Sequence, residues 1–512
     1  MASSIAEALV ARAEDDNAGL LFEDQSWTWR EVVAECAARA ATFERGQHIG
    51  VLLENVPEFV FLLGGAALAG AVIVGLNPTH SASELERDIA HTDCSVVITD
   101  TARAYEPAPL PDAFPSPDAL YCLIFTSGST GAPKAVQMSQ GRALRTGSQG
   151  AVAFGPGDVL YCAMPLFHGN ALFANLFPAI ISGAAVALRP KFSASEFMPD
   201  VRKYGATYFN YVGRALSYIL AQPEQPDDAD NQLKYCLGSE ASPADRKEFR
   251  RRFGCYVVEG YSSSEGGVVI QPYSGMPKHA LGKPADGVEV VVLNPDTEAE
   301  CPPAVFDENG SLLNALECVG EIVGRDGLKS FEGYYKNEDA TAERGRHGWY
   351  WTGDLGYRSD DGTFFFAGRS SDWLRVDGEN FAAGPVENVI ARFPGVRAVV
   401  VYPVPDPRTG DLVMAAIEYD GDFDPDAFDA FLAAQPDMGT KWAPRFVRIV
   451  KEIPVTATGK VNRNPLRAER WETDDPVWWK PTAKEPFRSR NRADAARLRD
   501  QFAEHGREAL LA

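Results

Sequence analysis

Residues 126–134, TSGSTGAPK, bring together the residue types that bind a phosphate group. The loop follows an apolar, strand-like run at 121–125 and precedes a segment, from residue 135, that we expect to be helical. Glycines let the backbone fold closely around an anion, while hydroxyls and an ammonium group suit phosphate oxygens. These residues are Thr126, Ser127, Gly128, Ser129, Thr130, Gly131 and Lys134.

The order of these residues excludes the phosphate loop of nucleoside triphosphatases. That loop ends in Gly-Lys-Ser or Gly-Lys-Thr, whereas Lys134 lies between Pro133 and Ala135. A Ser/Gly surface turn is the alternative. It would leave the coincidence of strand, hydroxyls, glycines and lysine unexplained.

A second segment, GYSSSEGG at 260–267, adds one carboxylate, Glu265, to a turn with three serines and an aromatic residue. Mg²⁺ usually takes one or two carboxylates together with phosphate oxygens and waters. Glu265 is therefore a candidate magnesium ligand if this turn lies beside the phosphate loop. The alternative is a solvent-exposed turn that caps a helix.

Two further segments carry residues that could hold a ribose. YWTGDLGY at 350–357 is expected to place Asp354 after a tight turn, and Arg369 follows an aromatic strand predicted at 363–367. An aspartate can accept both ribose hydroxyls, and a planar guanidinium binds hydroxyls or phosphate. Turn capping is the alternative for Asp354.

Lys460 and His168 complete the set. Lys460 follows Gly459 in PVTATGKVNRNPLR, a loop of small residues that could present an ammonium group to another domain. The alternative is an ordinary exposed lysine, since lysine is almost never fully buried. His168 ends the turn PLFH, after a strand predicted at 160–164.

The elements that position these residues fall into three regions. Short apolar strands at 48–53 and 95–99 alternate with helical stretches, which indicates α/β layers with a parallel sheet. Valine-rich runs at 288–293 and 320–323 suit a small β-barrel, with an exposed insertion at 294–314. From about residue 385 the pattern predicts helix, strand, strand, helix, strand. A turn at DDPVWWKP and a helix that docks or dimerises complete the chain.

Length and charge limit the possible partners. A chain of 512 residues is expected to form two or more domains. Its net charge of −22 argues against nonspecific binding to nucleic acid or to an anionic membrane. The eight cysteines are scattered without zinc spacing, and no signal peptide is apparent, so we expect a cytoplasmic protein.

One uncharged run of 18 residues, 59–76, reaches the length of a membrane span. It holds four glycines and lacks basic flanking residues. We favour a buried helix followed by a glycine turn and a short strand at 71–76. A membrane span is the alternative, and our prediction is that the chain has none.

Taken in order, these motifs resemble the core motifs of acyl-adenylate-forming enzymes, from about residue 46 to residue 467. This superfamily contains acyl-CoA synthetases, peptide-synthetase adenylation domains and beetle luciferase. Three further segments resemble the very-long-chain acyl-CoA synthetase and fatty-acid-transport-protein branch, which includes actinobacterial ligases of steroid side-chain acids. They are TYFNYVGRALSYIL, FEGYYKNEDAT and RVDGENFAAGPVE, and the ending DPVWW is similar to the steroid ligases.

The resemblance implies a large N-terminal domain of α/β/α layers plus a small β-barrel, at 1–369. A small, mobile α/β lid would follow at 370–473, with a hinge near Ser371, and a helical extension at 474–512. Many relatives carry Asp or Lys at the hinge, and Ser264 replaces the usual Thr. A possible homodimer is left open.

The resemblance also implies a role for each candidate residue. The 126–134 loop would hold the phosphates of ATP, and Glu265 with Thr126 would hold Mg²⁺. Lys460 would bridge the acid and the α-phosphate, and His168 would line the acyl site. The nucleotide would contact Tyr261, Ser262, Ser264, Asp354 and Arg369, and CoA would approach Gly378.

The implied reaction joins a bulky lipid acid to CoA through an acyl-AMP intermediate, with release of pyrophosphate and AMP. The acid would be a very-long-chain fatty acid or a steroid side-chain carboxylate. Two alternatives remain at this point: a fatty-acyl-AMP ligase that loads a carrier protein, and a non-catalytic lipid-binding relative. Glu265, Asp354 and Lys460 together argue against the latter.

Overall fold

A computed structural model describes residues 2–126, 133–277, 279–370, 373–376, 379–408, 410–439, 441–456 and 459–511. The chain groups into two compact units. The first contains Met1–Val269, Asp326–Tyr350 and Ala457–Gly459, and the second contains Ile270–Arg325, Trp351–Thr456 and Lys460–Ala512. This grouping joins the β-rich segment to the C-terminal residues. The boundaries after residues 369 and 473 remain predictions.

The first unit contains a seven-stranded sheet in which every neighbouring pair is parallel except the last. In spatial order its strands are Tyr256–Glu259, Tyr235–Ser239, Tyr208–Val212, Val159–Cys162, Ala185–Leu188, Ala18–Phe22 and Gln25–Thr28.

A second sheet in this unit has five strands, of which only the last is antiparallel to its neighbour. They are Val96–Ile98, His48–Val51, Val72–Gly75, Leu120–Phe125 and Ala135–Ser139. The expectation of a helix directly after Lys134 is wrong. Residues 135–139 instead pair with the strand before the phosphate loop, and the helix Gln140–Ala151 begins only after Ser139.

Alternate residues of each sheet belong to different cores, which defines the layers. Leu160 and Ile73, from the two sheets, share one core with the helices Trp29–Ala40 and Pro57–Ala69. These helices therefore lie between the sheets. Tyr161 faces a separate core on the other side of the first sheet. The remaining helices of the unit are Ile5–Val10, Ala82–His91, Gly169–Ala171, Leu172–Leu176, Phe177–Ser182, Phe197–Tyr204, Ala215–Leu220, Pro243–Phe253, Gly327–Lys329, Glu338–Arg344 and Arg346–Gly348.

The uncharged run 59–76 folds as predicted. Its helix, Pro57–Ala69, has proline at the first turn and ends at Gly70. Gly70 has φ 77°, a conformation that glycine adopts without steric penalty. The strand Val72–Gly75 follows. Within the described residues, no helix is long and apolar enough to cross a membrane.

The second unit begins with a six-stranded sheet, in agreement with the β-rich pattern before residue 370. In spatial order its strands are Ile270–Gln271, Ala280–Pro284, Phe364–Arg369, Tyr350–Arg358, Gly320–Gly324 and Val290–Leu293. A short helix, Ala315–Cys318, precedes one of them, and a hairpin of Trp373–Val376 and Glu379–Ala382 follows the sheet.

The C-terminal part of this unit has the predicted order of helix, strand, strand, helix, strand. These elements are Ala383–Ile390, Val396–Pro405, Asp411–Tyr419, Pro425–Ala433 and Phe446–Val450, and Arg463–Glu469 is a further helix. Within DDPVWWKP, expected to be a turn, Val477–Trp479 forms a strand antiparallel to Phe446–Val450. Arg488–Ser489 adds the last strand.

The C-terminal extension docks within its own unit. Its helix, Arg492–Glu504, buries Leu498 and Phe502 in a core with Trp471. The Trp471 and Phe502 rings are stacked with centroids 6.1 Å apart, and a short helix, Glu508–Leu511, ends the chain. Of the two roles considered for this helix, docking is therefore the one the structure shows.

Candidate active site

The two ends of the phosphate loop are held together at its base. Phe125 pairs with Ala135 in the antiparallel register, and the Thr126 amide donates to the Lys134 carbonyl at 3.1 Å. The loop is therefore closed by a hairpin rather than by a helix. Ser127, Gly128, Ser129, Thr130 and Gly131, predicted to hold phosphates, lie outside the described residues, as do Ser371 and Gly378.

Lys134 lies beside two residues from a distant part of the sequence. Its Nζ is 3.8 Å from Glu343 Oε2 and 5.8 Å from the centroid of the Tyr334 ring. The ring face attracts a cation, and the carboxylate partly neutralises it. The lysine at the end of the phosphate loop is thus already paired within its own unit.

Tyr334 also connects the phosphate loop to Glu265. Its hydroxyl donates to Glu265 Oε1 at 3.1 Å, and Arg344 Nε donates to the same hydroxyl at 3.4 Å. Burial, followed by the nearby Glu265 charge, raises the pKa of the Tyr334 phenol well above its ordinary value. Tyr334 therefore stays protonated and donates its hydrogen bond. We call Lys134, Glu265, Tyr334 and Arg344 the Glu265 cluster.

Sequence reasoning missed Tyr334 and Arg344 as site residues. Both lie in or just after FEGYYKNEDAT, which was used only to distinguish branches of the superfamily. The available signal was a tyrosine in an aromatic run followed by an arginine on a short charged segment. Their contact with Glu265 spans 69 residues of sequence, so no local pattern could reveal it.

The turn that carries Glu265 is fixed by hydrogen bonds on both sides. Arg142 donates to the Ser264 carbonyl at 2.6 Å, and the Gly267 amide donates to Ser330 Oγ at 3.1 Å. Gly267 has φ 78°, and a Cβ there would lie 2.1 Å from the Tyr350 ring. Hydrogen bonds and close packing therefore fix the conformation of this turn within its unit.

The predicted nucleotide contacts in this turn differ in burial. Tyr261 and Ser264 are half-buried, whereas Ser262 is exposed. A Cβ added to Gly169 would lie 2.8 Å from Ser264 Oγ, so the turn containing His168 packs against the Glu265 turn. The structure thus brings together two motifs that are almost 100 residues apart.

The carboxylate of Glu259, just before the Glu265 turn, connects three neighbouring parallel strands at their ends. Glu259 Oε1 accepts hydrogen bonds from Tyr211 Oη at 3.1 Å and from the Ala241 amide at 2.7 Å. Burial raises the pKa of Glu259, while Arg246, whose Nη1 lies 3.3 Å away, acts in the opposite direction. These contacts tie the two neighbouring strands to the strand that leads into the Glu265 turn.

His168 is oriented by its own turn. Its amide donates to the Pro165 carbonyl at 3.0 Å, and the Asn170 amide donates to His168 Nδ1 at 3.3 Å. Because Nδ1 accepts this bond, the neutral ring carries its proton on Nε2. The Asn170 contact therefore sets which ring nitrogen bears the proton.

Asp354 and Arg369 lie opposite each other on paired strands of the second unit. Their Oδ1 and Nε atoms are 3.8 Å apart. Asp354 lies inside the strand Tyr350–Arg358 rather than after a tight turn, which corrects the expectation, although Gly353 before it has φ 71°. The structure nevertheless brings the two predicted ribose ligands together.

Lys460 lies in the second unit, where its backbone is hydrogen-bonded to Thr456. Its carbonyl accepts from the Thr456 amide at 2.7 Å, and its own amide donates to Thr456 Oγ1 at 3.2 Å. The residue is half-buried. Among the described residues, its ammonium group has no ion-pair partner.

The metal-binding side chains of the site suit Mg²⁺, which takes few protein ligands, better than a metal ion held by protein ligands alone. Within the described part of the chain, no three His, Cys, Asp or Glu residues are grouped closely enough to hold a metal ion. Glu265 supplies one fixed carboxylate beside the base of the phosphate loop. Mg²⁺ commonly binds through one or two carboxylates plus phosphate oxygens and waters.

Family comparisons cover most of the chain. The model for "AMP-binding enzyme" matches residues 7–113 and 100–335, and that for "AMP-binding enzyme C-terminal domain" matches residues 385–460. Steroid-22-oyl-CoA synthetase of Rhodococcus jostii strain RHA1 is 48% identical over 99% of both chains. Medium/long-chain-fatty-acid–CoA ligase FadD17 of Mycobacterium tuberculosis is 44% identical over 93% of this chain and 98% of its own.

More distant relatives also match the chain, and solved structures share its fold. Long-chain fatty acid transport protein 2 of Rattus norvegicus is 32% identical over 68% of this chain and 58% of its own. ATP-bound MatB from Rhodopseudomonas palustris has a TM-score of 0.79 at 23% identity, covering 91% and 98% of the two chains. O-Succinylbenzoate CoA synthetase from Bacillus subtilis, bound to its acyl-adenylate, has a TM-score of 0.76 at 24% identity, covering 90% and 97%.

Proposed function

The chain belongs to the AMP-binding enzyme family, and from this premise we propose that it is an ATP-dependent ligase that joins a lipid carboxylic acid to CoA. The family matches confirm the superfamily and the branch that the motifs indicated. The observation that carries the proposal is the Glu265 cluster, which ties a carboxylate turn to the base of the phosphate loop.

The proposed reaction has two steps. An acid oxygen attacks the α-phosphorus of ATP, forming acyl-AMP and releasing pyrophosphate. The CoA thiol then attacks the acyl carbon, loses its proton, and releases AMP with the oxygen that bridged the two groups. No nucleophile from the protein is needed, so charge stabilisation and orientation are the tasks left to its side chains.

The chain's own residues divide these tasks. The loop at 126–134 would bind the β- and γ-phosphates, and Lys460 would contact the acid oxygen and the α-phosphate. Glu265 and Thr126 would hold Mg²⁺, which neutralises phosphate charge when bound.

Four further contacts complete the proposed site. Asp354 and Arg369 would hold the ribose, and Tyr261 would stack on the adenine. His168 would donate from Nε2 toward the acid, which its Nδ1 contact with Asn170 supports.

We propose a bulky lipid acid as the substrate, either a steroid side-chain carboxylate or a very-long-chain fatty acid. The names of the two relatives with 48% and 44% identity refer to a steroid acid and to medium- and long-chain fatty acids. Cytoplasmic location and a homodimer are further proposals, which cell fractionation and light scattering of the purified protein would test.

The test is pyrophosphate release with a panel of acids from medium-chain to very-long-chain to steroid, each with and without CoA. We expect release with at least one bulky acid and a thioester only when CoA is present. Pyrophosphate and acyl-AMP without thioester would favour loading of a carrier protein. No release with any acid would contradict the proposal and favour a binding protein.

A further inference from the structure

Three asparagine side chains form a hydrogen-bonded series next to His168. Asn175 Nδ2 donates to Asn210 Oδ1, and Asn210 Nδ2 donates in turn to Asn170 Oδ1. Asn175 and Asn210 are 0% and 1% exposed, whereas Asn170 is half-buried. This asparagine series, Asn170, Asn175 and Asn210, therefore runs from the core to a partly open end at Asn170.

Burying these side-chain amides in an otherwise apolar core lowers the stability of the folded state. The buried end of the series, Asn175, lies in the same helical segment as the buried apolar residues Leu172, Leu176 and Phe177. Asn175 Oδ1 has no hydrogen-bond partner among the described residues. A buried carbonyl without a partner destabilises the folded state, and such groups in native proteins call for an explanation. Leucines in place of both Asn175 and Asn210 would fill this space without a buried carbonyl that lacks a partner.

A local distortion of the helix makes the series possible. Residues Leu172–Leu176 form a π-helical turn, and the Phe177 amide donates to the Leu172 carbonyl five residues earlier. In a regular α-helix, positions five apart differ by about 140° around the axis. The wider π turn reduces that angle, so Asn170 and Asn175 can both reach Asn210. Such turns occur frequently at functional sites.

The amides of the series are aligned. The carbonyl oxygens of Asn210 and Asn170 each accept a hydrogen bond from the preceding member of the series. The open end at Asn170 therefore presents the hydrogens of its NH₂ group rather than a carbonyl oxygen. Aligned hydrogen bonds polarise one another and strengthen the terminal donor. The Asn170 backbone amide also fixes the His168 ring, which places both residues in one turn.

We propose that the Asn170 side-chain amide donates a hydrogen bond to the acyl oxygen of the acid, the oxygen that is not transferred to phosphorus. Asn210 and Asn175 are positioning residues that act through Asn170. This inference rests on the proposed activation of an acid at this site. A neutral donor suits this oxygen because negative charge develops on it when the CoA thiol attacks the acyl carbon.

The first test compares Asn170→Ala, Asn210→Leu and Asn175→Leu with the unmodified enzyme. We expect kcat/KM for the acid to fall about 100-fold in Asn170→Ala, by analogy with deletion of one oxyanion donor, and less in the others. The KM for ATP should stay within about twofold. Asn175→Leu is the informative variant: it removes one unpartnered carbonyl and leaves another at Asn210 Oδ1, so Tm should change little while activity falls.

A matched control is Asn231→Ala, far from the site in sequence. The Asn231 side chain donates to the Asp228 and Phe253 carbonyls, at 2.8 and 3.0 Å. This variant should lower Tm and leave kcat/KM for the acid unchanged. A general loss of stability therefore cannot imitate the expected result.

A binding measurement separates this inference from the proposed function. A non-hydrolysable acyl-sulfamoyl adenosine should bind Asn170→Ala at least about tenfold more weakly than the unmodified enzyme, whereas AMP should bind both equally. Equal binding of the acyl analogue, or kcat/KM for the acid within twofold in Asn170→Ala, would overturn the inference. Failure of the unmodified enzyme to activate any acid would instead refute the proposed function.

Discussion

The two lysines proposed to meet ATP are held in opposite ways. Lys134 lies 3.8 Å from Glu343 and beside the Tyr334 ring, so its charge is partly satisfied within its own unit. Lys460 has a backbone fixed by Thr456, while its ammonium group has no ion-pair partner in the described parts of the chain. An unneutralised cation on a fixed backbone is suited to a ligand. The comparison therefore supports Lys460, rather than Lys134, as the cation of the adenylation step.

Replacing Lys460 should have the largest effect. We expect Lys460→Ala to lower adenylation by about 10² to 10³-fold, as for removal of one electrostatic donor to a transition state. Pyrophosphate release with saturating acid measures this step. Thioester formation from supplied acyl-AMP should survive. Lys451→Ala, an exposed lysine of the same unit, is the control. Equal loss of both half-reactions would refute the assigned role.

Removing one hydroxyl from the Glu265 cluster should have a smaller effect. Tyr334→Phe deletes the donor to Glu265 and leaves the ring beside Lys134 in place. A hydrogen bond to a charged group contributes about 1.5 kcal/mol, so we expect about a tenfold rise in the Mg²⁺ concentration needed for half-maximal rate.

Tyr335→Phe is a matched control for this variant, because it makes the same change one residue later. The Tyr335 hydroxyl donates to Asp93 Oδ2 at 2.6 Å instead of to Glu265. Its Mg²⁺ dependence should match that of the unmodified enzyme. If the two variants behaved alike, the hydroxyl of Tyr334 would have no specific part in the site.

Replacing Lys134 should have the smallest effect of the three. Because Glu343 partly neutralises this lysine, we expect Lys134→Ala to lower kcat/KM for ATP by about fivefold, close to 1 kcal/mol. Steady-state kinetics at fixed acid and Mg²⁺ would measure it. A loss greater than that of Lys460→Ala would reverse the comparison between the two lysines.

Local patterns predicted much of the fold. The run 59–76 contained its own helix, glycine turn and strand, and the helix and strand order after residue 385 followed from apolar spacing. Pairing between distant segments was harder to predict. The strand Ala135–Ser139 exists because it pairs with Leu120–Phe125, and the strand at Val477–Trp479 depends on Phe446–Val450.

The same limit applies to the site. Motifs identified Glu265, Asp354 and Arg369 because their residue types follow a family pattern. Tyr334 and Asn210 act through contacts that span 69 and 40 residues, and neither residue type stands out in its own segment. Side chains that support a motif from another part of the chain therefore become visible only in the folded unit.

The central claim, that the acid is activated as an acyl-AMP, is tested most directly with an acid labelled with ¹⁸O at both carboxyl oxygens. After conversion to the thioester, AMP should carry one ¹⁸O atom and the thioester carbonyl the other, because the attacking oxygen leaves with phosphorus. Mass spectrometry of the products would measure this. Unlabelled AMP, or ADP together with labelled inorganic phosphate, would contradict the account.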